Sequence, residues 1–223
     1  GVKRITEAAR KSGKNYMMME TTLYTYHYFH VKGMLERGEL GRIQFLRGAH
    51  YQDMENWPDY WMGLPPMFYG THAISPLVGL AGSRIKRVVC FGSGTMREEL
   101  HKQYGNPFPI ESALFEFENG MKAEATRSLF ETARQYSESF CAYGSKQTFE
   151  WAQDDGDPVI MTLVPRDNLR GYGTKFTRIQ LGNRYDLLPE PIRKYTINEG
   201  DYDETNPQES LAKGAGGGHE GSH

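Results

Sequence analysis

The sequence predicts an α+β fold: a mostly antiparallel open sheet with helices on one face, preceded by a helix and strand of the parallel α/β kind. Three observations predict it. In "SALFEFENGMKAEATRS", alternating runs flank Asn119-Gly120, a dipeptide that favours a two-residue hairpin turn. A second alternating pair, "SFCAYGSKQTFEW", turns at Gly144-Ser145. The chain opens on an amphipathic helix that leads into the continuous apolar run "YMMME", the pattern of a strand covered on both faces.

Each element follows from local chemistry. Val2, Ile5, Ala8 and Ala9 fall on one face of a helix over about 2–12, and Gly13 stops it. The apolar run makes Tyr16–Glu20 a buried strand, and with the helix it reads as the tail of a βαβ unit whose partner strands come from upstream sequence. On this pattern the chain is expected to be truncated at its start. Thr25 is placed to cap a helix that turns Tyr28, Val31, Met34 and Leu35 inward and stops near Gly38. Residues 42–52 read as a strand, and a loop marked by proline and tryptophan, "ENWPDYWMGLPPM", follows. In "FYGTHAISPLVGLAG", Ser75 reads as an N-cap, Pro76 as the first helical residue and Gly82 as the stop. A strand over 84–92 and a short helix over 97–104 precede the first hairpin, in which Ala113, Phe115 and Phe117 share a face. Strands near 158–163 and 175–181 have weaker patterns, and from Asn198 the chain is polar and then rich in glycine.

Composition narrows the function. Hydrophobic residues make up 38% of 223 and charged residues 24%, which supports a packed core. The net charge of −2 comes without a basic run, so no nucleic-acid partner is expected. No apolar run has the roughly 18 residues of a membrane span. Fourteen Tyr, 11 Phe and 3 Trp suit two readings: a β-rich core, or a cleft in which rings stack on sugar C–H faces. Cys90 and Cys141 lack metal spacing and read as two buried thiols in a reducing, cytoplasmic setting.

Five motifs in order carry a resemblance: "GELGRIQFLRG" after a helix, "GTHAISPLVGLAG", "NGMKAEATRS", "AYGSKQTFEW" and the terminal "GGGHEGSH". Together they resemble the Gfo/Idh/MocA family, named for glucose–fructose oxidoreductase and inositol dehydrogenase, over nearly the whole chain. The resemblance implies that residues 1–22 are the remnant of a Rossmann domain binding NAD or NADP. Residues 23–223 are then an incomplete α+β domain supporting a sugar site and subunit contacts. The fingerprint G-x-G-x-x-G is absent; "CFGSGTM" follows a strand of the second domain and lacks the spacing. This chain alone is therefore not expected to bind a dinucleotide.

The family ends its last Rossmann strand in Glu-Lys-Pro, with the lysine reaching the nicotinamide and the substrate hydroxyl. The matching residues here are Glu20, Thr21 and Thr22. Glu20 and Thr21 are thus the cofactor-side candidates, although Thr21 carries no charge and also suits the start of the next helix. The family's Asp-x-Gly-x-His reads Phe68, Tyr69, Gly70, Thr71, His72, so the histidine is kept and the aspartate is not. The resemblance makes His72 the acid/base for a substrate hydroxyl; a helix-start hydrogen-bonding role is the alternative. His50, Tyr26, His27 and His30 are candidate compensators. Trp57, Tyr60 and Trp61 can stack on a sugar or pack in the core. His219 and His223 lie where the family has a substrate-proximal histidine, or in a glycine-rich tail, and their spacing defines no metal site.

The activity so implied is oxidation of a sugar or cyclitol hydroxyl by NAD or NADP, in a homo-oligomer formed through the sheet face. An oxidation–elimination enzyme that cleaves glycosides is an alternative, as is a non-catalytic module for sugar binding or oligomerisation.

Overall fold

The structure is a computed structural model, and it describes residues 1–134, 136–152, 158–165, 171–181 and 189–191. Helix α1 (Val2–Ser12) ends where Gly13 takes φ 65°, a left-handed conformation that glycine adopts without a Cβ penalty. Residues 14–20 form no regular element and pair with no strand among the described residues. The buried strand expected at Tyr16–Glu20 is corrected accordingly: Met17, Met18 and Met19 are 62%, 61% and 52% exposed. An apolar run specifies a covered strand only if something covers it, and no described residue does.

A single 3-10 turn, Thr21–Tyr24, then leads into helix α2 (Tyr26–Glu36). The Thr25 hydroxyl accepts from the Tyr28 N–H and caps it as expected. Tyr28, Val31 and Met34 are buried. Helix α3 covers Thr71–Ala81 and starts five residues earlier than Ser75 as N-cap and Pro76 as first helical residue suggest. Two features explain the earlier start. A 3-10 turn at Pro66–Tyr69 delivers the chain already coiled, and Pro76 sits where its missing N–H costs only the bond to the His72 carbonyl. Gly82, at φ 56°, ends α3. Helix α4 is short, Glu98–His101.

The eight strands among the described residues are β1 (Ile43–Tyr51), β2 (Ile85–Ser93), β3 (Ile110–Phe117), β4 (Lys122–Ser128), β5 (Ser137–Gly144), β6 (Gln147–Glu150), β7 (Val159–Pro165) and β8 (Tyr172–Arg178). They form one open sheet in the order β2-β3-β4-β1-β5-β6-β7-β8. Among the described residues, only β1 and β4 pair in parallel. The β3–β4 turn is one residue longer than Asn119-Gly120 implies. Phe117 and Met121 close it, Gly120 has φ 88°, and the Asn119 carboxamide oxygen accepts from the Met121 N–H.

Register lines up one apolar face across the sheet: Phe115, Ala123, Leu46, Ala142, Phe149 and Ile160 are successive cross-strand neighbours, and all are buried. α2 and α3 cover this face. The fit at β1 is close, since a Cβ on Gly48 would lie 2.0 Å from the Ala73 carbonyl oxygen. The opposite face carries Arg47–Glu124 and Lys122–Glu116 ion pairs with exposed Phe91, Leu114, Leu163 and Phe176. Cys90, expected buried, is exposed on edge strand β2; Cys141 is buried.

Met54, Met96, Leu100, Leu129 and Phe130 form a second buried cluster under the tryptophan loop. Arg97 pins that loop by pairing with Glu55 at 2.6 Å and Glu131 at 3.3 Å.

Candidate active site

Three adjacent strands end in polar residues on the helix-facing side. Along β1 the inward series runs Leu46, Gly48, His50; along β4, Ala123, Ala125, Arg127; along β5, which runs the other way, Glu138 at the strand start precedes Phe140. Register places His50 opposite Arg127 on one side and Glu138 on the other. All three are buried, at 1%, 0% and 4% exposure. The first turn of α3 lowers His72 onto this row, and its ring centroid lies 5.0 Å from that of His50. Glu20 and the 3-10 turn close the remaining side.

The two nitrogens of His72 face different partners. Nδ1 lies 2.6 Å from Glu20 Oε1, 3.5 Å from Glu138 Oε1, and 3.5 and 3.4 Å from the Thr21 and Thr22 hydroxyls. Nε2 lies 2.9 Å from the Tyr69 hydroxyl. Burial alone raises the Glu20 carboxyl, but hydrogen bonds from His72 and Thr71 and the nearby imidazole outweigh it and hold it below its usual range. His50 Nε2 is 3.8 Å from Glu138 Oε1. Tyr136 donates to that same oxygen at 2.8 Å, and the Thr22 hydroxyl donates to Oε2 at 3.5 Å.

Arg127 braces the site without entering it. Its guanidinium donates to the carbonyls of Tyr69, His50 and Ser128 and to Gln52 Oε1, and its carbon sits 5.0 Å from the Tyr69 ring centroid. Burial lowers it to about 10, so it stays charged at neutral pH. Burial likewise raises the Tyr69 hydroxyl, against the pull of Arg127, which keeps it protonated.

The structure brings together His72, His50, Glu20 and Thr21 of the residues singled out in the sequence. Trp61 approaches through Tyr69: its ring lies 5.0 Å from that of Tyr69, which lies 5.1 Å from His72. Trp57 packs edge-on against Trp61 at 6.1 Å and is 46% exposed. His27 and His30 are elsewhere, against Trp151 and Phe149, so they do not compensate for the absent lysine. Tyr26 opens α2. His219 and His223 lie outside the described residues. An apolar concavity along α3, between Leu23, Met67, Phe68, Ile74 and Val78, reaches the polar cluster at Thr71 and is lined by neither histidine nor either carboxylate of it.

Sequence reasoning missed Glu138, Tyr69, Thr22, Tyr136 and Arg127. The signal was a charged residue at the end of an apolar alternation, as in Ala123, Ala125, Arg127. Such a residue faces inward by the same period of two that buries its neighbours.

The fold is an α+β domain whose helix-covered sheet face ends in this row of inward polar groups. The family model described as the GFO/IDH/MocA C-terminal domain matches residues 28–150, more than half of the chain, and the chain belongs to that family. Among solved structures, it resembles levoglucosan dehydrogenase in complex with NADH and levoglucosan, at 20% identity and TM-score 0.62, over 78% of this chain and 50% of that one. It also resembles an inositol dehydrogenase homolog from Azotobacter vinelandii complexed with NADH and myo-inositol, at 16% identity and TM-score 0.60, over 79% and 45%. UDP-N-acetylglucosamine 3-dehydrogenase GnnA from Acidithiobacillus ferrooxidans matches at 12% identity and TM-score 0.58, over 82% and 52%. At these identities the likeness is one of fold. The chain spans about half the length of these structures, and no curated protein matches its sequence. Among the described residues, no helix is long and apolar enough to cross a membrane.

Proposed function

We propose that this chain is the substrate-side part of an NAD(P)-dependent oxidoreductase acting on a hydroxyl of a sugar or cyclitol. The observation that carries the reading is the buried Glu20–His72 contact at 2.6 Å, which joins the end of residues 1–22 to the first turn of α3. On this reading 1–22 belong to the nucleotide-binding domain and 23–223 to the substrate domain. The dinucleotide, which accepts the hydride, is held elsewhere, since these residues contain no glycine-rich phosphate cradle. Glu20 and Thr21 border the cofactor side.

His72 takes the hydroxyl proton, and Glu20 orients its ring. Trp61 and Trp57 extend an aromatic wall from Tyr69 toward solvent, where a sugar's C–H face can stack. The exposed apolar residues on the outer sheet face, Leu114 and Phe91 among them, support self-association there.

The test uses the full-length protein, offered a panel of sugars and cyclitols with NAD and NADP. Steady formation of reduced cofactor is expected, with a loss of about 10²- to 10⁴-fold in His72→Ala. Glycoside cleavage without net reduced cofactor selects the oxidation–elimination alternative. Full activity in His72→Ala overturns the role given to this residue.

A further inference from the structure

We propose that the buried row at the α3 N-terminus is a binding site for a divalent transition metal of the zinc type, with His50, His72 and Glu138 as ligands. Ligand atoms of the first three lie within 4.8 Å of one another. Zinc bonds of roughly 2.0–2.2 Å to nitrogen and oxygen set donor–donor edges of about 3.3 Å in a tetrahedron. Here His72 Nδ1 to Glu138 Oε1 is 3.5 Å, and His50 Nε2 to the same oxygen is 3.8 Å. Two imidazoles and carboxylate oxygens form the mixed N/O set that zinc accepts.

The supporting groups fit as well. With Nδ1 on the cation, the His72 proton resides on Nε2 and is donated to the Tyr69 hydroxyl at 2.9 Å, an outer partner that fixes the ring. Tyr136 and Thr22 hold the Glu138 carboxylate from outside. Arg127, the cation nearest this row on β4, is directed at three carbonyls and Gln52 Oε1. The 2.6 Å contact between His72 and Glu20 is closer than two ligands of one cation stand. It encloses a proton that the metal displaces from Nδ1, so binding releases a proton. The ligands come from positions 50, 72 and 138, so no spacing in the sequence announces them.

The site stands independently of the oxidoreductase reading. In the loaded state His72 is a ligand; in the metal-free state it is free to act as the proton acceptor.

The experiment titrates this chain, stripped by a chelator, with Zn²⁺ by calorimetry in buffers of different ionisation enthalpy, and with Co²⁺ by visible absorption. One equivalent is expected, with proton release, a rise in melting temperature, and the intense bands of tetrahedral cobalt. His50→Ala and Glu138→Gln each weaken binding by at least about tenfold, whereas His101→Ala does not. Should a variant fail to fold, the cobalt spectrum of the unsubstituted chain decides: weak octahedral bands overturn the proposal. It also falls if no stoichiometric binding occurs, or if binding survives both substitutions and is lost in a His219→Ala, His223→Ala double variant. None of these outcomes bears on dinucleotide binding, which is measured separately.

Discussion

Replacing Gly48 with alanine probes how the sheet presents His72. The new Cβ would lie 2.0 Å from the Ala73 carbonyl oxygen, 3.0 Å from its carbon and 3.4 Å from Leu77 Cδ1. Carbon and oxygen rest no closer than about 3.3 Å, so the backbone of α3 must retreat by more than about 1 Å from β1. A backbone obstacle cannot rotate aside as a side chain can. Overpacking of this kind costs about 1–3 kcal/mol, and the upper half of that range is expected. For a domain of this size, about 2 kcal/mol lowers the melting temperature by about 4–8 °C. Gly33→Ala provides the contrast. Its Cβ would meet only the mobile end of Arg37, at 2.8 Å, and the exchange inside α2 is expected to stabilise by about 0.5–1 kcal/mol. Both variants are compared with the parent chain by thermal and urea unfolding followed by circular dichroism. If Gly48→Ala melts within about a degree of the parent, α3 does not rest on β1 as described, and the placement of His72 falls with it.

Other perturbations give separate checks. His27 lies 3.7 Å from Trp151, stacked within 7°, and burial pushes it from 6.5 down to about 4. The unfolded chain therefore binds the extra proton first. The stability at stake is present above about 6.5 and is lost as pH falls toward 4, by up to about 3 kcal/mol. Urea unfolding across this window is expected to show a steeper loss for the parent than for His27→Phe; parallel curves contradict it. Phe130 is fully buried under the tryptophan loop, so Phe130→Ala is expected to cost about 3–5 kcal/mol by the same assay. Leu114→Lys on the outer sheet face is expected to shift the protein to a smaller species in light scattering; an unchanged mass argues against association there.

Much of the fold was legible because it rests on local rules. Thr25 is a cap, Gly13 and Gly82 are stops, and the 113–117 alternation is a strand in the sequence and in space alike. Three expectations failed where a neighbour decides the outcome. "YMMME" has the composition of a covered strand, yet burial depends on a partner that its own residues cannot specify. Ser75 and Pro76 have the chemistry of a helix start, but the 3-10 turn at 66–69 begins the coil sooner. Asn119-Gly120 suits a two-residue turn, and pairing of Phe117 with Met121 stretches it by one. The site was half legible. His72 and Glu20 sit in motifs that resemble those of the family, whereas Glu138 and Arg127 gain meaning only from register, which sets them beside His50 across two strand pairs.

The most direct test of the proposed function is dinucleotide binding by the full-length protein. NADH and NADPH are titrated while energy transfer from tryptophan to the nicotinamide is followed, in the parent and in Glu20→Gln. Saturable binding of at least one dinucleotide, weakened in the variant, is the predicted result. Absence of binding to either dinucleotide would contradict the oxidoreductase reading outright.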